Sequence, residues 1–142
     1  MTLTATREVK RSVLAGTAGW IAVAFGVVHT VVAPWDYRDY WETIVDEGPW
    51  QTLTLDHDPG AMGYNEAFWI GPGSFGVPVL LFGAFVVWVN RRGEQVPTGF
   101  GWALTAWAAF LCAVMPSSPA WALLLAGVLL VIAPRTQGSA TL

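Results

Sequence analysis

Apolar residues in this chain gather in long runs, with polar residues pushed to the gaps between them. The first run, Ser12 to Ala33, is close to the ~20 residues with which a helix crosses ~30 Å of hydrocarbon. Comparable runs cover Phe68 to Asn90, Gly99 to Met115 and Ala120 to Ala133. The pattern predicts an all-α fold: a four-transmembrane-helix bundle forming one integral membrane domain over 1–142, with spans near 12–33, 68–90, 99–115 and 120–134. Arg7, Lys10 and Arg11 before the first run resemble the charged start of a signal peptide. The apolar part is longer than a typical signal core, however, and no small-residue cleavage pattern ends it, so it reads as a retained helix. Along that helix Ala15, Gly19, Ala22, Gly26, Thr30 and Ala33 recur at helical spacing, a stripe of small residues of the kind that lets membrane helices approach closely.

The interruption between the first two spans, the outer segment 34–67, has a different grammar. After Pro34, Tyr37, Tyr40, Trp41, Ile44 and Val45 follow at i, i+3, i+4, i+7 and i+8, while Asp36, Asp39, Glu42, Asp46 and Glu47 take the remaining arc. This predicts an amphipathic interfacial helix, stopped by Gly48-Pro49 and followed by an acidic, aromatic loop through Asp56-His57-Asp58-Pro59-Gly60. Asn65 is the expected N-cap of the second span's helix, with Glu66 in its first turn, where the helix dipole favours an anion. Gly71-Pro72-Gly73 has helix-start geometry, and with Pro78 it predicts a kink near the outer end of the second span. Pro97 is placed to start the third helix, and Pro116-Ser117-Ser118-Pro119 makes a tight hairpin before the fourth.

Composition agrees with a membrane class: 54% of residues are hydrophobic and 12% charged, against roughly 25% charged in an ordinary soluble domain. Seven basic residues in small groups make no nucleic-acid footprint. Three of them precede the first span, two follow the second and one follows the fourth, which places both termini in the cytoplasm and the chain in the inner cell membrane as a multi-pass protein. Cys112, the single cysteine, lies in an apolar run and reads as a small hydrophobe.

The outer segment also holds the candidate chemistry. His29 lies 18 residues after Arg11, about 27 Å along a helix at ~1.5 Å per residue, and so near the outer boundary. Asp36 and Glu66 flank the segment at the same level, which suggests convergence of His29, Asp36 and Glu66 as an acid–base group beneath substrate-binding walls of Trp35, Tyr40, Trp41 and Trp69. Simpler explanations exist for each: His29 bonding a neighbouring backbone carbonyl, Glu66 serving the helix dipole, and most tryptophans forming an interfacial belt. Asp56-His57-Asp58 offers metal-binding side chains without a second histidine to complete a set, so no metal is expected. Gly71-Pro72-Gly73 is not followed by the Lys and Ser/Thr of a phosphate loop, and no cofactor is expected either.

At Gly26-Val27-Val28-His29-Thr30 and Asn65-Glu66-Ala67-Phe68-Trp69 the chain resembles a family of small, uncharacterised four-span bacterial membrane proteins, which also end their first helix in Gly-x-x-His-Thr and carry Phe-Trp near the start of the second. That resemblance implies the four-helix layout and no known activity. In layout, though not in motif, the chain is also similar to small membrane-bound terpene cyclases, which set acidic residues under aromatic walls. Three functions follow: an acid-initiated enzyme acting on a lipophilic isoprenoid-like substrate, with Glu66 or Asp36 as proton donor; a non-catalytic protein binding lipid or another lipophilic small molecule in the same pocket; and an accessory subunit docking by its small-residue stripe. Membrane lipids are the expected surroundings, and a homo-oligomer or a larger membrane complex the expected assembly in the third case.

Overall fold

A computed structural model describes residues 11–54 and 59–138 and is all-α, with no strand among the described residues. Helix α1 (Val13–Val27) continues through a π turn (Val28–Val32) and a 3-10 turn (Ala33–Tyr37) into α2 (Arg38–Glu47). The short α3 (Pro49–Thr52), α4 (Met62–Ile70), α5 (Gly76–Arg91), α6 (Thr98–Val114) and α7 (Trp121–Gly138) follow. Among the described residues, only the run Val13–Glu47 is long and apolar enough to cross a membrane; Gly76–Arg91, Thr98–Val114 and Trp121–Pro134 are shorter apolar helices. The chain forms two compact units, Met1–Ala22 with Phe82–Leu142, and Val23–Leu81.

In the first unit, the start of α1 is clamped to the end of α5. The Ser12 backbone N–H donates to Asn90 Oδ1 at 2.8 Å, and Asn90 Nδ2 donates to the Ser12 carbonyl at 2.9 Å. One side-chain amide thereby satisfies the Ser12 N–H, which the helix start leaves over, and shares the Ser12 carbonyl with the Gly16 N–H. Gly19 faces α5 so closely that a Cβ there would stand 2.7 Å from Val87 Cγ2. Helix α5 closes with Gly93 at φ 72°, the Gly93 N–H reaching the Asn90 carbonyl and the Glu94 N–H the Val89 carbonyl, a Schellman arrangement that needs a left-handed residue. Helices α6 and α7 form a hairpin whose tightest approaches are again at glycine: Gly101 against the Leu130–Val131 backbone, and Gly127 against Thr105. Around these contacts Leu104, Ala108, Leu123 and Ala126 are buried. The indole N–H of Trp121 donates to the Pro116 carbonyl at 2.9 Å and fastens the Ser-Pro turn.

In the second unit, the end of α1 meets the start of α5, where a Cβ on Gly26 would lie 2.6 Å from the Gly76 carbonyl and from Leu80. The small-residue stripe is therefore a packing surface, with Ala15, Ala22 and Gly26 all buried. Three local expectations change. Pro34 does not end the first helix: the Ala33 N–H donates to the Val28 carbonyl five residues back, and the Arg38 N–H to the Trp35 carbonyl three back, so a widened turn followed by a tightened one carries the chain past a residue without an N–H. The second span is not one helix from Phe68, because α4 stops at Ile70 and α5 starts at Gly76, which puts Pro78 in a first turn where its missing N–H costs nothing. Asn65 sits inside α4, behind Ala61 as N-cap, and its Oδ1 accepts the Thr54 N–H at 3.2 Å, tying the loop down instead of capping a helix.

Both stripe glycines meet atoms of α5 that cannot easily move, so Gly26→Ala should cost about 1–3 kcal/mol through overpacking. Val27→Leu, on an exposed face of the same helix, should cost under about 0.5 kcal/mol. Detergent-solubilised melting curves check this; equal melting of the two variants would show that Gly26 is not a contact.

Candidate functional site

Two polar arrangements lie within the second unit. The first surrounds Tyr37, whose hydroxyl donates to Glu66 Oε2 at 3.3 Å. The 3-10 turn places this side chain toward α4, and Tyr40, one turn later, sets its ring over Gly63 and edge-on to Tyr64 with centroids 5.3 Å apart. The Tyr37 phenol is held above its ordinary value, by partial removal from water first and then by the charge of Glu66 and its hydrogen bond, with Asp36 adding to the same effect. It therefore remains a donor where an isolated tyrosine would begin to ionise. Asp36 and Glu66 thus act on one phenol, and both carboxyls are exposed.

His29 goes elsewhere. Its ring stacks on Phe75 with centroids 4.4 Å apart and on Phe25 at 5.8 Å, and it makes no hydrogen bond to either carboxylate among the described residues. Next to it, Thr30 Oγ1 is buried with no partner among the described residues, against Gly76, whose lack of a side chain makes the room. Trp69 is exposed and touches Phe68 edge-on. The Asp56-His57-Asp58 triplet lies outside the described residues, and no group of three metal-binding side chains occurs among the described ones.

The second arrangement is an open groove of about 550 Å³ lined by Val31, Pro34, Trp35, Arg38, Trp41, Glu42, Val45 and Asp46. These positions recur every three to four residues, so the groove follows one face of a single helical run straight through the π and 3-10 turns. Trp35 and Trp41, two of the four expected aromatic walls, line it; Tyr40 and Trp69 do not. Val31, Pro34 and Trp35 make its first part apolar, and beyond them Arg38, Glu42 and Asp46 alternate with Trp41 and Val45. Arg38 Nε lies 3.3 Å from Asp39 Oδ1, but both side chains are largely exposed and such a pair is worth ~0–1 kcal/mol, so the guanidinium is available to other acceptors. The indole N–H of Trp41 is buried with no acceptor among the described residues.

A model for a family of unknown function, DUF6463, matches residues 14–137. The chain belongs to DUF6463. No curated protein and no solved structure matches it. Both motifs on which the resemblance rested, Gly26 to Thr30 and Asn65 to Trp69, fall inside the DUF6463 match, and the resemblance holds at the level of an uncharacterised family. In this member of DUF6463 the first motif has a packing role at Gly26 and a stacking role at His29, and the second delivers Glu66 to Tyr37. Arg38, Glu42 and Asp46 were missed as groove residues because Pro34 read as a boundary. Continuing the helical count from Val31 through the proline would have placed all of them on one face.

Because the Glu66 charge holds the Tyr37 phenol up, Glu66→Gln should let it ionise at lower pH. Ultraviolet titration, with Tyr37→Phe subtracted to isolate this residue, reads the midpoint. A midpoint unmoved by Glu66→Gln would mean that the two side chains do not interact.

Proposed function

We propose that this chain is a four-span protein of the inner cell membrane, with both termini cytoplasmic, that holds a lipophilic small molecule with a polar end in the groove along Val31 to Asp46. Its span count rests on the apolar runs of the sequence and on the surfaces of the shorter helices. Leu81 and Phe85 on α5, Trp102 and Phe110 on α6, and Trp121 and Leu125 on α7 are exposed. So much large apolar surface is a liability in water and ordinary in lipid. At ~1.5 Å per residue, 16 and 17 residues of α5 and α6 cover about 24–26 Å, a shortfall from ~30 Å that local thinning of the bilayer absorbs at modest cost.

The single observation that carries the binding reading is the composition of the groove: two indoles and two valines interleaved with one guanidinium and two carboxylates. A small-molecule site has this form, mostly apolar with a few polar groups to fix orientation. An amphiphile lying there would set its apolar body on Val31 and Trp35 and its head, an oxygen acceptor, at Arg38.

The enzymatic reading keeps one observation in its favour, the Tyr37–Glu66 hydrogen bond, which would couple a carboxylic acid to a phenol as a proton-delivery pair. In that reading Glu66 or Asp36 protonates an isoprenoid-like substrate in the manner of the membrane-bound terpene cyclases. The exposure of both carboxyls weighs against it, since a carbocation beside open water is quenched. Non-catalytic binding is therefore the better reading.

Full-length protein purified in mild detergent should carry an amphiphile detectable by mass spectrometry of the organic extract. Trp35→Ala with Trp41→Ala should remove it while expression and melting hold, because together they delete most of the apolar wall. An identical extract from the wild type and the double variant would overturn the groove as the binding site.

A further inference from the structure

Outside the groove, the first unit carries a second arrangement that neither the helix packing nor the proposed binding uses. Helix α5 ends in Arg91 and Arg92, both exposed, and each guanidinium lies over an indole. The Arg92 guanidinium carbon sits 4.0 Å from the Trp88 ring centroid, and that of Arg91 sits 6.0 Å from Trp20 of α1. Both indoles are themselves about half exposed, at 48% and 54%. The reciprocal bonds between Ser12 and Asn90 pin the start of α1 beside the end of α5, so Arg11 joins the same end. The Gly93 turn fixes where α5 stops.

Stacking uses the flat face of a guanidinium and leaves its in-plane N–H donors at the rim. Neither arginine forms an ion pair among the described residues. Glu94, the acid next in sequence, lines a narrow crevice with Asn90, Gln95 and Leu130. Two forked cations set over exposed indoles, with no acidic partner among the described residues, fit an anionic oxygen group whose attached body is apolar. The guanidiniums would fork to phosphate oxygens, and the indoles would sit at headgroup level against the acyl chains.

We infer that Arg91 and Arg92, seated on Trp20 and Trp88, form a binding site for the phosphate headgroup of an anionic phospholipid. This rests on the membrane reading above and adds to it a lipid class and a location. Free phosphate shares the oxygen chemistry but has nothing for the indoles to contact, so the site takes the lipid.

The test uses full-length protein in detergent, given an equimolar mixture of phosphatidylglycerol and phosphatidylcholine and examined by native mass spectrometry. Wild type should retain phosphatidylglycerol about tenfold or more over phosphatidylcholine, as two surface arginines allow. The double change Arg91→Gln with Arg92→Gln should remove the preference. Arg91→Lys with Arg92→Lys, which keeps charge but loses the flat fork, should keep only part of it. Undiminished preference in the Gln pair, equal preference in the Lys pair, or displacement of the lipid by millimolar inorganic phosphate would each overturn the site. Alkaline carbonate extraction of cell membranes separates the two levels: a chain released from the membrane defeats the membrane reading itself, whereas a chain that stays but shows no lipid preference defeats only this inference.

Discussion

Helix α1 can lie against α5 only because the positions that face it have no side chains to spare. In lipid there is no hydrophobic gain from bringing two apolar helices together, so contact depends on close van der Waals fit and on the few polar bonds available. Gly19 and Gly26 supply the fit, each leaving less than the width of a methyl group, and the Ser12–Asn90 amide pair supplies the bonds. Gly101 and Gly127 repeat the device between α6 and α7. Bulky residues are then free to point outward, where Trp20, Trp88, Trp102 and Trp121 are exposed.

That economy explains why polar side chains concentrate where the helices change character. The π and 3-10 turns around Pro34 let one helical run pass from an apolar stretch into α2 without a loop, and the same face carries Val31, Pro34 and Trp35 first and then charges interleaved with Trp41 and Val45. Tyr37 and Glu66 brace the neighbouring face against α4, and Asn65 ties the preceding loop to the same helix.

Much of this was legible from residue order. Helix positions follow from uninterrupted apolarity, and the helix expected over 99–115 is α6, which runs from Thr98 to Val114. The glycine stripe was legible because its period matches the helix. Pro34 misled because a proline's missing N–H ordinarily ends a helix, and nothing local announces that a π turn will absorb it. Asn65 misled for a related reason: an asparagine before Glu66 has the form of a cap, but its amide was claimed by Thr54, eleven residues back, a partner no local pattern reveals. Trp35 and Trp41 stood out from their alternation with carboxylates and both line the groove, whereas Arg38, Glu42 and Asp46 depended on helical phase being kept through the proline. His29 was grouped with the acids by depth along the helix, and depth says nothing about azimuth; the ring turned toward Phe25 and Phe75.

Cysteine accessibility in intact cells tests the proposed topology most directly. In a Cys112→Ala background, Asp46→Cys and Glu94→Cys are each exposed to a membrane-impermeant maleimide before and after the cells are opened. Labelling of Asp46→Cys in intact cells, with Glu94→Cys reacting only after lysis, is the predicted result. Equal labelling of both positions before lysis, or labelling of Glu94→Cys alone, would contradict it.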